Sequence, residues 1–508
     1  MYDISVNYGY MKGIAMSVPE VIKNHAPNQF GACEVRTING HYYVYRISSK
    51  WDAVKKKARK VTGKSIGKIT EKDGFIPNVN GLRLIEEQRS AVAASGTVTV
   101  RNYGAYETLR QLTPDMEGQL REYFPDIFRE INTLSLIRVI DRAPTKFIRN
   151  MYLSSDMRDL YPDIALSDVS VRKFISRLGT RQSDIYRFMQ ASIAPGTTLL
   201  FDGTVFFARM DDTLSTTGYN PEHSQNPQVR LLYIFDRDSH KPVFYTVLQG
   251  SVVDKAAFID TVRSSGCKDC IVIADKGFYS KPNVSALMDA GLKYILPLQS
   301  NTKNVPFSFY LNQDDSKFDG VFSYKHRAIY YAKTKSGVKG NYIYTFRDDM
   351  RRARQRGLFV ELAEKNYGED VPKPLDVNHQ NRFGYFSFCS DIDADPQRIY
   401  LDYKARWNIE ECFDYLKNDV TARASFAHSD EFLRGVAFLN HVSMLYYYGL
   451  INALRRAKLD EDYSPADILK LTSNVWKVDT GDGQGYKVTG LQKEAKMILE
   501  KIEVELST

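Results

Sequence analysis

Cysteine is scarce in this sequence and gives no sign of a disulfide framework. The chain of 508 residues contains five cysteines, an odd number spread over distant positions. Domains that depend on disulfides carry denser and usually even-numbered sets. The cysteine usage therefore predicts a reducing compartment, and we expect a cytoplasmic protein.

The sequence also lacks a secretory signal and an uninterrupted apolar run of membrane length. The first residues, MYDISVNYGYMKGI, contain no basic region followed by a long apolar stretch. The run from Gly435 to Leu454 approaches membrane length but contains Asn440, His441 and Ser443. Because these polar side chains interrupt it, the run predicts a buried helix and not a membrane span.

Two motifs for small ligands are incomplete. The segment VTGKS ends like a phosphate-binding loop, but Ala58 stands where such a loop needs its first glycine. The segment CKDC, from Cys267 to Cys270, has the spacing of half a zinc site, and no second pair of cysteines or histidines accompanies it. We therefore expect neither nucleotide hydrolysis nor a structural zinc site.

The balance of charge favours an acidic partner. The net charge is +8 and the isoelectric point is near 8.9, which makes nucleic acid the leading candidate. The window from Trp51 to Lys72 holds eight lysines and arginines against Asp52 and Glu71. Charge density leaves two interpretations open, a solvated and poorly ordered loop or an arm that contacts DNA phosphates. The arm's predicted DNA contacts are Lys55, Lys56, Lys57, Arg59 and Lys60.

The segment YKARWNIEECFDYLK has the pattern of an amphipathic helix. At about 100° per residue, spacings of three, four and seven place Tyr403, Arg406, Glu410 and Lys417 in one quadrant. Glu411 turns away from Arg406, so Glu410 is the carboxylate of this polar face. The face is either a solvated surface with an Arg406–Glu410 pair or a surface that holds a metal ion and phosphates.

Two aspartates upstream follow apolar, strand-like segments. TLLFD ends on Asp202, and Asp275 follows the apolar run CIVIA. The surrounding pattern predicts three antiparallel strands, a helix, a parallel strand, a helix and a further strand. An aspartate after a strand is usually a turn or a helix cap, so neither residue is decisive alone.

The spacing Y-x2-R-x3-E-x6-K resembles the signature of one branch of bacterial insertion-sequence transposases. These are DDE enzymes with a ribonuclease-H-like core, and all four signature positions match. The resemblance implies that Asp202 and Asp275 lie side by side in the sheet and meet Glu410. Lys276 departs from the family pattern, in which arginine is frequent after the second aspartate, but it changes no carboxylate.

The resemblance implies an α/β fold with a ribonuclease-H-like catalytic core interrupted by a β-rich insertion. A mixed and helical N-terminal DNA-binding region precedes the core, and a helical C-terminal tail follows it. Within the insertion, FSFYL at Phe307 to Leu311 has the pattern of a strand. The expected parts are 1–100, an N-terminal strand plus a basic DNA-binding arm; 101–195, a helical module that is either a second DNA-end binder or a spacer; 196–300, the first part of the core; 301–395, the insertion; 396–456, the second part of the core; and 457–508, a tail that either packs on the protein or dimerises.

The resemblance also implies the chemistry. Such enzymes use two divalent ions about 4 Å apart to activate an attacking oxygen and stabilise a leaving one. Asp202, Asp275 and Glu410 are then both the catalytic residues and the metal ligands, with Asp202 shared between the ions. Two Mg²⁺ ions are the expected cofactors, and Mn²⁺ is able to substitute. Water cleaves the element end, and the freed 3′ hydroxyl attacks target DNA.

The implied partner is double-stranded DNA, both the terminal inverted repeats of an insertion sequence and the target. A homodimer would bind it in a synaptic complex, at the nucleoid and without a membrane. Arg406 and Lys417 would grip phosphates, and Tyr403 would add a hydrogen bond. Trp407 is either a stacking platform for an unpaired base or a buried anchor.

Two other functions remain compatible with the sequence. One is a metal-dependent, ribonuclease-H-like DNA nuclease without strand transfer, which an assay for joining of a pre-cut end would distinguish. The other is a non-catalytic DNA-binding protein descended from a transposase. A protein that has lost catalytic activity need not retain all of its catalytic residues. The joint presence of Asp202, Asp275, Arg406, Glu410 and Lys417 therefore argues against the second function.

Overall fold

The computed structural model describes most of the chain. The described residues are 18–19, 22, 27, 30, 32–52, 57–85, 98–207, 214–218, 227–251, 254–300, 302–311, 315–338, 340–367, 380–417, 429–480 and 485–506. Lys55 and Lys56, two of the predicted DNA contacts, lie outside these residues.

Strands and helices follow one another in a mixed α/β order. Among the described residues the strands are β1 (Cys33–Ile38), β2 (His41–Asp52), β3 (Lys57–Thr70), β4 (Gly74–Pro77), β5 (Thr99–Asn102), β6 (Thr198–Phe207), β7 (Gln228–Asp236), β8 (Lys241–Gln249), β9 (Ile271–Ala274), β10 (Lys293–Pro297), β11 (Gly320–Tyr324), β12 (Arg327–Lys335), β13 (Tyr342–Asp348), β14 (Tyr385–Ser390), β15 (Trp476–Asp479) and β16 (Tyr486–Thr489). The α-helices in the same residues are α1 (Gly104–Leu112), α2 (Met116–Tyr123), α3 (Phe128–Ile140), α4 (Ile148–Ser154), α5 (Met157–Leu160), α6 (Asp168–Gly179), α7 (Gln182–Gln190), α8 (Asp254–Ser265), α9 (Lys281–Asp289), α10 (Phe307–Leu311), α11 (Asp349–Tyr367), α12 (Pro396–Lys404), α13 (Trp407–Tyr415), α14 (Asp430–Arg456), α15 (Pro465–Thr472) and α16 (Lys493–Lys501).

The chain divides into two compact units. The first comprises Met1–Gly104, Lys470–Ile498 and Leu506–Thr508, and the second comprises Ala105–Leu469 and Leu499–Glu505. The N-terminal region and much of the C-terminal tail thus share one unit. The helices that follow Gly104 share the other unit with the large sheet.

An antiparallel sheet in the order β1-β2-β3-β4 dominates the described N-terminal part of the first unit. Asn39 and Gly40 both have positive φ, 49° and 77°, and form the two-residue turn from β1 to β2 that Asn-Gly favours. Val44, Ile66 and Ile69 are buried and form a small core on one face of this sheet.

The basic window is largely a strand. Residues Lys57–Thr70 form β3, which pairs with β2 along its length. Ile66 and Ile69 are buried, whereas Arg59 and Lys60 are exposed, and the Lys60 ammonium lies 2.8 Å from the Glu34 carboxylate. The interpretation as a poorly ordered loop is therefore wrong for β3, and contact with DNA stays a prediction.

A second sheet in the first unit joins distant parts of the chain. Its order is β16-β15-β5, with β15 antiparallel to both neighbours. The strand at Thr99–Asn102 therefore pairs with the C-terminal strand at Trp476–Asp479, a pairing that local sequence patterns do not predict.

The central sheet of the second unit carries the strands predicted around the two aspartates. The described strands adjoin in the order β11-β12-β13-β14-β10-β9-β6-β7-β8. Strand β7 is antiparallel to both β6 and β8, whereas β9 runs parallel to β6 and β10 runs parallel to β9. Nearly every residue of β7 is buried, which fits its almost continuous apolar sequence.

The residues predicted as an insertion extend this sheet. Strand β14 pairs antiparallel with β10, and β13, β12 and β11 follow it outwards. The prediction of a strand at Phe307–Leu311 is wrong, because these residues form α10. The basic run after β13 opens a long helix, α11.

The longest described helix, α14, is buried among other elements of the second unit. It packs against α3, α6 and β8. A Cβ on Gly435 would lie 2.0 Å from the Ile175 carbonyl oxygen, so glycine allows α14 and α6 to approach closely. Arg138 donates to the Asn440 side chain at 2.8 Å. The Ser443 hydroxyl donates to the Leu439 oxygen at 2.8 Å, so two of the polar residues of the apolar run bond within the fold. No described helix is long and apolar enough to span a membrane.

Candidate active site

Asp202 and Asp275 lie on adjacent parallel strands. The last register pair between β6 and β9 is Phe201 with Ala274. Asp202 directly follows Phe201, and Asp275 directly follows Ala274. Neighbouring strands are about 4.8 Å apart, so the two carboxylates start from adjacent backbone positions. Strand β6 continues to Phe207, which corrects the prediction that Asp202 ends its strand.

The environment of Asp202 disfavours the ionised form of its carboxyl group. Burial raises the pKa of Asp202 to about 6, and the charges of Asp275 and Glu410 add to the rise while Arg406 opposes it. The backbone N–H of Gly203 donates to Asp202 Oδ1 at 2.8 Å. Three carboxyl groups that act electrostatically on one another thus lie in one region of the second unit.

Glu410 reaches this region from the short helix α13. The segment predicted as one helix is two, α12 and α13, with a break at Ala405 and Arg406. Tighter turns bridge the break, because Arg406 N donates to the Tyr403 oxygen at 3.0 Å and Ile409 N donates to the Arg406 oxygen at 3.1 Å. The prediction of a single regular helix is wrong, yet Arg406 and Glu410 remain on a shared face.

Arg406 connects the helix to the sheet. Its Nη1 donates to Asp202 Oδ2 at 2.6 Å, and its Nη2 donates to Glu410 Oε1. Its side chain is 18% exposed, so solvent screens these ion pairs only weakly. The guanidinium thus pairs with two carboxyl groups at once, and the predicted grip of Arg406 on DNA phosphates would require it to turn away from them.

Tyr403 and Trp407 lie on opposite sides of the break. The Tyr403 ring lies 4.4 Å from the Phe388 ring of β14, and burial raises the pKa of Tyr403 to about 12. Trp407 is 64% exposed, so its interpretation as a buried anchor is wrong. Lys417 is exposed at the end of the described segment. Contacts of these three side chains with DNA stay predictions.

Helix α12 is held in place by an ion pair that sequence patterns did not identify. Arg237, after β7, donates to both Asp238 and the buried Asp402 carboxylate of α12. The Arg237 backbone N–H also donates to the Thr198 oxygen at the start of β6, at 2.9 Å. The strand that carries Asp202 and the helix that precedes Arg406 are thereby linked. In the sequence, the only sign that Asp402 is paired is Arg398, which lies four residues before it on α12.

The side chains of this site have the chemistry of ligands for a hard divalent cation. Carboxylate oxygens are the preferred ligands of Mg²⁺, and this ion uses few of them besides water and substrate phosphate. In the described part of the chain, no three histidine, cysteine, aspartate or glutamate side chains are already gathered around one metal position. Arg406 holds oxygens of Asp202 and Glu410, so an ion would have to displace this guanidinium.

Comparison with known protein families identifies the region that carries this site. Residues 194–440 match the family model of the transposase DDE domain. The chain contains a DDE transposase domain. Asp202, Asp275 and Glu410 all lie within the DDE domain, as do Arg406 and Lys417.

Solved transposase structures are similar to the chain at low identity. A piggyBac transposase synaptic complex with hairpin DNA has 13% identity and a TM-score of 0.38, over 73% of this chain and 78% of that chain. A Mos1 transposase paired-end complex with left transposon end has 13% identity and a TM-score of 0.14, over 32% of this chain and 56% of that chain. At these scores the likeness carries no argument about fold or partner. The curated proteins include no match.

Proposed function

We propose that this chain is a DNA transposase that binds the terminal inverted repeats of an insertion sequence, cleaves the element ends and joins the 3′ hydroxyl to target DNA. The observation that carries the proposal is the meeting of Asp202, Asp275 and the Arg406–Glu410 pair inside a DDE transposase domain. The three carboxyl groups come from two adjacent strands and a later helix, as two-metal phosphoryl transfer needs.

The proposed catalytic core is ribonuclease-H-like. Its strands are β6 to β10, which adjoin in the order β8-β7-β6-β9-β10 with the last two parallel to β6. This order supports the proposal because β6, which carries Asp202, and β9, which Asp275 follows, are adjacent strands in the middle of the core. Helix α13 would then supply Glu410 beside these two aspartates.

The carboxylates would hold two divalent cations, Mg²⁺ or Mn²⁺, with Asp202 shared and with Asp275 and Glu410 each on one side. When bound, such ions help to activate the attacking oxygen and to stabilise the leaving one. Arg406 pairs with Asp202 and Glu410 beforehand and would then turn to a phosphate beside the scissile bond. Lys417 would add a point charge near it, and the exposed Trp407 could stack on an unpaired base.

The DNA outside the catalytic centre would contact the first unit. Arg59 and Lys60 are exposed on β3, and charge is the property that phosphate contacts require. We include Lys55, Lys56 and Lys57 in this proposed contact on the ground of sequence. A homodimer that holds two element ends in a synaptic complex is part of the same proposal.

A cleavage and joining assay on the DNA that flanks the encoding gene tests the proposal. The full-length protein should nick the element end in Mg²⁺, lose this activity in chelator, and join a pre-cut end to plasmid. Asp275→Asn should retain end binding and lose cleavage by about a hundredfold or more, since each carboxylate positions a metal ion. Asp269→Asn is the matched control, because Asp269 is exposed and its positive φ of 55° suits asparagine.

Three results would contradict the proposal. Cleavage by Asp275→Asn at the rate of the unsubstituted protein would remove the catalytic assignment. Cleavage without joining would instead identify a nuclease. Binding of ends with neither reaction would identify a DNA-binding protein.

A further inference from the structure

Four cationic side chains converge beside α12, the helix that precedes Arg406 and Glu410. Lys325 lies in the turn between β11 and β12, Arg327 begins β12, Arg351 lies on α11 and Lys404 ends α12. We call these four residues the basic cluster. They come from three segments of the second unit, the β11–β12 turn, α11 and α12, so the fold and not a run in the sequence brings their charges together.

Aromatic rings form the platform on which the basic cluster lies. The Lys404 ammonium is 5.2 Å from the centre of the Tyr400 ring, and the Arg351 guanidinium is 5.1 Å from that of Phe386. Lys325 and Arg327 lie 5.7 Å and 5.8 Å from the ring of Tyr324. The Tyr324 and Tyr400 ring centres are 5.1 Å apart, and those of Phe386 and Tyr400 are 5.8 Å apart. The cations thus surround one continuous group of rings.

The basic cluster carries more positive charge than its carboxylate partner can balance. Asp348 accepts from Arg327 Nη1 at 2.8 Å and from the Arg351 backbone N–H at 3.0 Å. Among the described residues, Lys325, Arg351 and Lys404 form no ion pair. Burial lowers the pKa of Lys404, and the neighbouring Arg351 and Arg327 lower it further. Like charges are therefore close enough to repel one another, and an anion would relieve this repulsion.

A buried donor in the same place has no partner. Tyr400 is fully buried, and within the described part of the chain its hydroxyl group forms no hydrogen bond. Buried hydroxyl groups are normally paired, because leaving one unpaired is unfavourable. A phosphate oxygen could accept from this hydroxyl as well as from the surrounding cations.

The turn that carries Lys325 also departs from ordinary turn chemistry. Tyr324 pairs with Arg327, so Lys325 and His326 form a two-residue turn with φ values of 48° and 61°. Asn-Gly and Gly-Gly suit such a turn far better, because side chains disfavour positive φ. Two basic residues therefore occupy positions at which the backbone favours small ones.

From these contacts we infer that the basic cluster binds a backbone phosphate of the DNA strand that enters the catalytic site. Lys404 and Tyr403 are consecutive on α12, so they point to different sides of the helix, one to the basic cluster and the other to Phe388 and Arg406. Helix α12 thus connects the basic cluster to Tyr403, and the short break after α12 leads on to Arg406 and Glu410. This inference rests on the proposed function, because it takes DNA as the substrate.

The salt dependence of DNA binding by the full-length protein tests the inference. The probe is a fluorescent duplex of the element end, titrated at several KCl concentrations. In the double variant Arg351→Gln/Lys404→Gln, the slope of log K against log[salt] should become shallower by about one to two, with affinity about tenfold weaker near 0.1 M salt. The charge-conserving variant Arg351→Lys/Lys404→Arg should keep most of the slope, which separates charge from misfolding.

A control and a positional readout make the test specific. Arg356→Gln/Lys365→Gln removes the same charge from exposed positions of α11 and should leave the slope nearly unchanged. A neutral methylphosphonate, placed at successive linkages of the probe, should weaken binding by the unsubstituted protein about tenfold at the contacted phosphate. The same linkage should have little effect on the double variant.

Several outcomes would overturn the inference. An equal slope for the double variant and the unsubstituted protein would do so, as would an equal loss in the α11 control. Binding of a fluorescent polyglutamate peptide that the double variant loses, with DNA binding unchanged, would assign the basic cluster to an acidic protein segment instead. Absence of DNA binding by the unsubstituted protein would contradict the proposed function itself.

Discussion

Arg406 connects two carboxylates of the proposed catalytic site. In the structure its guanidinium spans Asp202 and Glu410, two carboxylates that would otherwise repel each other beside Asp275. Removal of one member of a largely buried ion pair leaves an uncompensated charge, which is unfavourable. Divalent ions would provide the same compensation more strongly.

The variant Arg406→Met should therefore reveal a stability deficit that metal repairs. In chelator we expect the free energy of unfolding to fall by roughly 2 to 4 kcal/mol. In millimolar Mg²⁺ the deficit should become smaller, since bound ions neutralise the carboxylates without the guanidinium. Denaturant unfolding with and without Mg²⁺ measures both values.

The matched control is Arg398→Met on α12. Arg398 is 63% exposed, and its guanidinium lies 3.6 Å from Asp402. We expect a loss below about 1 kcal/mol that Mg²⁺ leaves unchanged, as for exposed ion pairs generally. A deficit for Arg406→Met of the same size in Mg²⁺ and in chelator would contradict the account.

At the scale of single elements, close helix contact is a specific feature of this fold. Helices α6 and α14 approach closely, because the side chain of Gly435 is a hydrogen atom where a Cβ would meet the Ile175 carbonyl oxygen. Replacement by alanine must separate the helices or distort them, and such overpacking typically destabilises a protein.

We expect Gly435→Ala to lower the free energy of unfolding by roughly 1 to 3 kcal/mol. Gly357→Ala is the control, since Gly357 lies inside α11 with open space around its Cβ position. There alanine should stabilise the protein by about 0.5 to 1 kcal/mol, because it favours helix more than glycine. Denaturant unfolding of both variants measures the difference, and stabilisation by Gly435→Ala would contradict the predicted contact.

Elements with strong local patterns were predictable from the sequence, and elements set by distant contacts were not. Strand β9 and helix α14 follow directly from continuous or periodic apolar residues. Strand β3 was hidden because its exposed face is rich in lysine and only Ile66 and Ile69 signal its buried face. The break between α12 and α13 could not be predicted, since Tyr403 packs on β14 while Arg406 reaches β6.

For the proposed site, the sequence pattern predicted that Asp202, Asp275 and Glu410 act together, which stays a prediction, and it predicted the phase of Glu410 relative to Arg406. Glu411 acts on Tyr448 electrostatically, whereas Glu410 pairs with Arg406, as the helical spacing predicted. The position of Arg406 on the carboxylates was not predictable, because a side chain's partner depends on the strand opposite it. The basic cluster was missed for the same reason, since Arg351 and Lys404 are far in sequence from each other and from Lys325 and Arg327.

At the scale of the whole molecule, two long-range pairings organise the chain. Strand β5 pairs with β15 in the first unit, and β10 pairs with β14 in the second. The second pairing makes the insertion strands a continuation of the sheet that carries Asp202 and Asp275. Because Tyr403 packs on β14, the position of the insertion strands is coupled to the helix that precedes Glu410.

The central claim is that Asp202, Asp275 and Glu410 together bind divalent ions. Counting bound Mn²⁺ by electron paramagnetic resonance, on the full-length protein with its end DNA, tests it most directly. We predict two ions per chain for the unsubstituted protein and for Asp269→Asn, with fewer or weaker ions for Asp202→Asn, Asp275→Asn and Glu410→Gln. Two ions bound with unchanged affinity in all three carboxylate variants would contradict the claim.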